Sequence, residues 1–273
     1  MPSGCGSSTE MINLFLATRM KRILRVLFGA NAAALTYIAR GKPTGFTQAS
    51  VRAFRAARDE PGLSAFDIPT ITLSEILGDR RPRICLGVGP YEDGMLPVDQ
   101  LVALLAILVC EQPNEVLEIG TFMGHTTRQM AEALDTATIH TVDLPEAFSP
   151  AEPSDAGLQK DDFHLIERRV VGREFKALPI AIRIRQHFAD TATWDFNECG
   201  RPTFFFIDGA HTYEYARHDS EQCYTLCSGR GVFLWHDCDP SHPGVQRVLS
   251  EWSARGRDVR RISGTTLAYW KNT

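Results

Sequence analysis

Four apolar residues in a row, Phe204-Phe205-Phe206-Ile207, run directly into Asp208-Gly209-Ala210-His211. A strand without polar alternation must be covered on both faces, and a mostly parallel sheet with helices on either side is the arrangement that covers them. In open sheets of this kind ligands bind beyond the carboxyl ends of the strands. Asp208 and His211 are therefore the first candidates for chemistry.

From Pro113 onward the chain repeats that logic. Val116-Leu117-Glu118-Ile119 reads as a strand, Gly120-Thr121-Phe122-Met123-Gly124 as a tight turn, and Thr126 to Leu134 as a helix. Thr138 to Val142 is the next strand and ends at Asp143. Further strands are expected at 182–185, 203–207, 232–235, 259–262 and 266–270. Strands separated by helices predict a doubly wound, mostly parallel α/β sheet of seven strands, the last two forming a terminal pair that closes one edge.

At 273 residues the chain can bury a full core as one α/β domain with an appendage. With 29 basic and 33 acidic residues it carries no electrostatic footprint for nucleic acid. Seven cysteines lack paired metal-site spacing, which points to reduced thiols in a cytoplasmic protein. Residues 11–39 alternate apolar and basic, and the apolar part, Val26 to Ala39, is too short and mixed to span a bilayer. It is expected to lie on this protein or on a twin subunit, pointing to a homo-oligomer such as a dimer, with peripheral membrane contact as the alternative. A helix is expected over Gln48–Asp59 and another over Val98–Cys110. Residues 1–90 are read as a helical lid or interface and 91–273 as the ligand-binding domain.

Gly120 and Gly124 let the backbone turn closely around a bound molecule, and the helix that follows offers unpaired N–H groups. Asp143 falls 23 residues after Gly120, at a strand end where its oxygens can accept from both hydroxyls of a ribose. The loop is not the GxGxxG dinucleotide fingerprint, so a nicotinamide cofactor is the second choice.

These segments, together with Phe188-Ala189-Asp190-Thr191, Asp208-Gly209-Ala210-His211-Thr212-Tyr213-Glu214 and Gly231-Val232-Phe233-Leu234-Trp235-His236-Asp237, resemble the class I S-adenosylmethionine-dependent methyltransferases. The closer resemblance is to the methyltransferase-24-like branch that O-methylates small molecules, and it covers about residues 88–270. It implies a Rossmann-like methyltransferase fold. It also implies that Glu118, Gly120, Thr121 and Gly124 surround the methionine part of the cofactor, that Asp143 holds the ribose, and that Ala189 and Asp190 border the adenine. The usual Gly-Asp-Ser is Ala-Asp-Thr here, which Ala189 tolerates if its φ is not positive.

Methylating a hydroxyl requires that its proton be removed, and His211 suits that task because imidazole titrates near neutrality. A lysine base takes the corresponding place in metal-dependent relatives. Asp208 and Asp237 end successive strands and could hold Mg²⁺, yet the residue after Asp237, an oxygen ligand in those relatives, is Cys238. Without metal, Asp208 is expected to orient His211 or to contact the cofactor amine. His236 and His242 flank the same loop and could touch substrate. The expected function is methyl transfer to oxygen on a small hydroxylated acceptor, such as a sugar or secondary metabolite. An NAD-dependent oxidoreductase and a non-catalytic nucleotide-binding scaffold are the alternatives.

Overall fold

A computed structural model describes residues 68–87, 92, 94–148, 169–227 and 229–272. The expectations for 11–39 and for the helix over Gln48–Asp59 lie outside the described residues.

Eight strands form one sheet: β1 (Thr70–Ile71), β2 (Glu115–Ile119), β3 (Thr138–Asp143), β4 (Ile184–Phe188), β5 (Phe204–Ile207), β6 (Gly231–Trp235), β7 (Arg260–Ile262) and β8 (Ala268–Asn272). Their order is β1-β7-β8-β6-β5-β2-β3-β4. All pairings are parallel except the two made by β8, with β6 and with β7. The terminal pair is therefore not the outermost element. The two-residue β1, from the stretch read as the N-terminal extension, lies beyond β7 and is the eighth strand.

Alternate side chains of the central strands point to opposite faces, and each face has its own core. Val116, Ile139, Phe204, Phe206, Val232 and Leu234 pack with α1 (Leu73–Leu77), α2 (Val98–Glu111) and α3 (His125–Ala133). Leu117, Phe205, Phe233 and Trp235 pack on the other face with α5 (Tyr213–Leu226) and α6 (Pro243–Ala254). The short α4 (Arg173–Lys176) lies between β3 and β4 in sequence and sends Phe175 into the first core. Trp235 belongs to the second core at 1% exposure, its indole N–H donating to Ser220. Cys199, Cys223 and Cys227 are buried there too. No helix among the described residues is long and apolar enough to cross a membrane.

The chain runs outward from β2 through β3 to β4 and then crosses back to β5 and β6, so strand order reverses between β2 and β5. Ile119 is in register with Val142 on one side and Ile207 on the other, and Ile207 is in register with Trp235. The next residues in these strands, Asp143, Gly120, Asp208 and His236, therefore stand side by side along one rim. Their backbones are linked: Gly120 N–H donates to Val142 O, Asp208 N–H to Ile119 O and His236 N–H to Ile207 O.

Candidate active site

The turn after β2 is built on alternating left-handed residues, with φ of 97° at Gly120, 49° at Phe122 and 84° at Gly124. A Cβ at Gly120 would stand 2.0 Å from the carbonyl oxygen of Asp208, so glycine is needed for closeness as well as for dihedral. At Gly124 a Cβ would meet the Phe175 ring at 2.6 Å. The turn aims Phe122 N–H at Asp143 Oδ2, 2.6 Å away. Arg169 stands 3.4 Å from the other Asp143 oxygen. Burial raises the Asp143 pKa, opposed by Arg169 and by backbone N–H bonds. Ala189 N–H donates to Asp143 O, which sets the start of the next loop beside that carboxylate. Ala189 is not among the positive-φ residues, so the missing glycine introduces no strain there. Asp190 accepts from Tyr215 Oη on α5 at 3.0 Å and from Ala192 N–H at 2.9 Å.

The residues the resemblance assigns to the cofactor fall into two layers. Gly120, Asp143, Ala189 and Asp190 are half-buried along the rim. Glu118 and Thr121 are sealed beneath the turn, 0% and 4% exposed, and Gly124 is buried against Phe175. The Glu118 carboxyl receives the hydroxyls of Thr127 and of Thr141, the latter at 2.6 Å, while Thr121 Oγ1 lies 2.7 Å from Thr141 Oγ1. Burial pushes the Glu118 pKa up to about 8 against those hydrogen bonds, and its Oε1 is buried without a partner. Glu118 shapes the turn from below.

Beyond β5 and β6 the structure assembles two acids and three histidines. His211 Nε2 is 2.7 Å from Asp237 Oδ2, and His236 Nδ1 lies 2.8 Å from Asp208 Oδ1 and 3.2 Å from Asp237 Oδ2. His242 Nδ1 is 3.5 Å from Asp237 Oδ1 and 3.3 Å from Asp239 Oδ1. Asp237 is thus shared by all three imidazoles and lies closest to His211, while His236 also reaches Asp208. Asp237 adopts φ 57°, a left-handed conformation that aspartate tolerates better than most residues. Burial would raise its pKa, but the hydrogen bonds of His211 and His236 outweigh that and hold the carboxylate well below the usual range. Burial likewise disfavours charge on His236, and Asp208 overrides it to raise the imidazole well above its ordinary value. The five side chains are 13–23% exposed, with Nδ1 of His211 and of His242 buried.

Cys238 points away from this set. It is 1% exposed in the second core, and burial pushes its thiol up to about 12.

Gly244, which the sequence reading passes over, locks the histidine loop. A Cβ there would come within 2.4 Å of His211 O and 2.6 Å of Tyr213 N, so the start of α6 lies directly against the His211 backbone. The Pro243-Gly244 pair opening a helix was the available signal. Tyr213 braces the same junction, donating to Glu251 on α6 at 3.0 Å with Arg247 stacked 3.8 Å from its ring. Asp219, also passed over, is a buried acid on α5 that burial raises to about 7.

Residues 117–238, from inside β2 to the end of the acidic loop after β6, match a family described as a methyltransferase domain. The matched segment is the part of the chain that is similar to that family. It contains every rim residue described above together with His211, His236 and Asp237. Solved structures similar to the chain include cofactor-bound Rv0187 from MTB, at 16% identity and TM-score 0.47, with 66% of this chain and 83% of that one covered. Podospora anserina methyltransferase PaMTH1, bound to SAH, is 19% identical at TM-score 0.47, with 66% and 80% covered. The O-methyltransferase TomG from Streptomyces achromogenes, in complex with SAM, is 16% identical at TM-score 0.45, with 66% and 83% covered. No curated protein matches the chain. The oxidoreductase alternative finds no support: Phe122, not glycine, fills the position of the turn where a pyrophosphate would need close approach.

Proposed function

We propose that the methyltransferase domain moves a methyl group from S-adenosylmethionine to the hydroxyl of a small polar acceptor, with His211 taking the acceptor's proton. The observation that carries this reading is the Asp237–His211 pair at 2.7 Å, one strand over from the rim where Gly120 backs onto Asp208. The residues of the rim fit the donor. Asp143 presents a carboxylate fixed by Phe122 N–H and Arg169, with lone pairs left for ribose hydroxyls, and Ala189 and Asp190 continue the edge beside it. When bound, S-adenosylmethionine supplies an electrophilic methyl group on a sulfonium.

His211 takes the acceptor's proton, and the Asp237 carboxylate 2.7 Å from its Nε2 stabilises the imidazolium that results. Asp208 and His236 form a second, self-paired couple that keeps the Asp208 charge compensated beside the transferring centre. The donor set does not suit Mg²⁺, which asks for oxygen ligands in near-octahedral array. Both acids are engaged by imidazoles, and the third oxygen of metal-dependent relatives is replaced by a core thiol at Cys238. The free thiols, including exposed Cys85, suit a reduced compartment, and we read the enzyme as cytoplasmic.

The test is release of S-adenosylhomocysteine from a pool of hydroxylated acceptors. His211→Ala is expected to lower the rate by about 10²–10⁴-fold with S-adenosylmethionine affinity retained. Asp143→Ala is expected to weaken S-adenosylmethionine binding in calorimetry. An unchanged rate in His211→Ala, or binding of NAD in place of S-adenosylmethionine, would overturn the reading.

A further inference from the structure

The acid that holds His211 also faces His242, and ligand atoms of His211, Asp237 and His242 all lie within 4.8 Å of one another. Four-coordinate zinc with bonds of about 2.05 Å has ligand atoms roughly 3.3 Å apart. His211 Nε2 lies 2.7 Å from Asp237 Oδ2 and His242 Nδ1 3.5 Å from Asp237 Oδ1, so the two imidazoles approach different oxygens of one carboxylate. His242 Nδ1 is buried between two carboxylates, 3.5 Å from Asp237 Oδ1 and 3.3 Å from Asp239 Oδ1. The rings of His211 and His242 are 4.5 Å apart between centroids, so the two imidazoles converge on the same acid.

We infer that His211, Asp237 and His242 form a two-histidine, one-carboxylate site for a borderline divalent cation of the zinc type, and that occupancy of this site shuts off methyl transfer. Imidazole donors favour Zn²⁺, Co²⁺ or Fe²⁺ and give little to Mg²⁺, so the site discriminates by ligand chemistry. Inhibition follows from proton accounting and rests on the proposed role of His211. A neutral imidazole that donates one nitrogen to a metal keeps its proton on the other nitrogen, and no lone pair is left to accept the acceptor's proton. Zinc would thus compete with the proton that His211 must take. His242 caps the start of α6, and Gly244, two residues on, abuts the His211 backbone, so the two histidines are held side by side.

Calorimetry of the full-length protein with ZnCl₂, and visible absorption with Co²⁺ in its place, test the site independently of turnover. The expected result is one equivalent of Zn²⁺ bound at least ~100-fold more tightly than Mg²⁺, with Co²⁺ ligand-field bands of low coordination number. His242→Gln is expected to abolish both signals while keeping the thermal unfolding midpoint. Asp208→Asn, outside the triad, is expected to retain them. In the S-adenosylhomocysteine assay Zn²⁺ is expected to inhibit and EDTA to restore the rate. Equal affinity for Zn²⁺ and Mg²⁺, unaltered binding in His242→Gln, or activation by Zn²⁺ would each overturn the inference. Absence of turnover under all conditions would instead remove the methyltransfer reading and leave the metal measurement standing.

Discussion

Replacing Glu118 by glutamine should make the protein more stable in alkali, and the size of the gain can be worked from its surroundings. The carboxyl is fully buried between β2, β3 and α3, receives two threonine hydroxyls and has one oxygen without a partner. Its pKa rises from 4.5 to about 8 on folding, with burial the largest cause. The native state therefore holds a proton that the unfolded chain has released everywhere between those two values. Stability must fall as pH rises through that window, because the native state binds more protons there than the unfolded state. Each pKa unit is worth about 1.4 kcal/mol, so the full penalty on reaching pH 9 is ~5 kcal/mol. Glutamine fills nearly the same volume, cannot ionise, and can keep its carbonyl on the two hydroxyls. Urea denaturation of both proteins at pH 5, 7 and 9 measures the effect. The variant should be within about 1 kcal/mol of the parent at pH 5 and exceed it by ~3–5 kcal/mol at pH 9. A difference that stays flat across the series would refute the reasoning, since it would mean that Glu118 ionises as freely inside the fold as outside it.

Asp219, raised from 3.8 to about 7 by burial, should behave the same way over a lower window. Asp219→Asn is expected to lose the fall in stability between pH 4 and 7, as read from thermal midpoints. Gly120→Ala places a methyl group against the Asp208 carbonyl at a φ that alanine resists, and is expected to cost about 2–4 kcal/mol and to abolish S-adenosylmethionine binding in calorimetry. Gly244→Ala drives a methyl group into the His211 backbone, and should lower kcat through displacement of that imidazole with S-adenosylmethionine affinity unchanged.

The apolar run ending at Asp208 was enough to read the buried central strand, and the spacing from Gly120 to Asp143 enough to read two successive strands, which the sheet pairs in parallel. Both signals are local, written in one segment and its immediate continuation. What the sequence does not carry is the pairing of side chains that arrive from different loops. Asp208 and His211 are three residues apart, yet each chose an partner from the loop after β6, because parallel register sets His236 beside Asp208 and the left-handed turn at Asp237 swings its carboxylate towards His211. Glu118 misleads for a related reason. It sits in the right segment for ligand contact, but its position in the strand points it under the turn, where β3 and α3 supply the hydroxyls it needs. The two-residue strand β1 is too short to leave a pattern at all.

Because main chain presses on main chain where Gly120 meets Asp208, the gap between the Gly120–Asp143 half of the rim and its acid–histidine half is fixed by peptide geometry and not by any side chain. Substitutions around the cluster can recolour either half, but they cannot slide one past the other. On the proposed reading, the span between the methyl donor and His211 is then set by the sheet, and the choice of acceptor is left to whatever overhangs the rim.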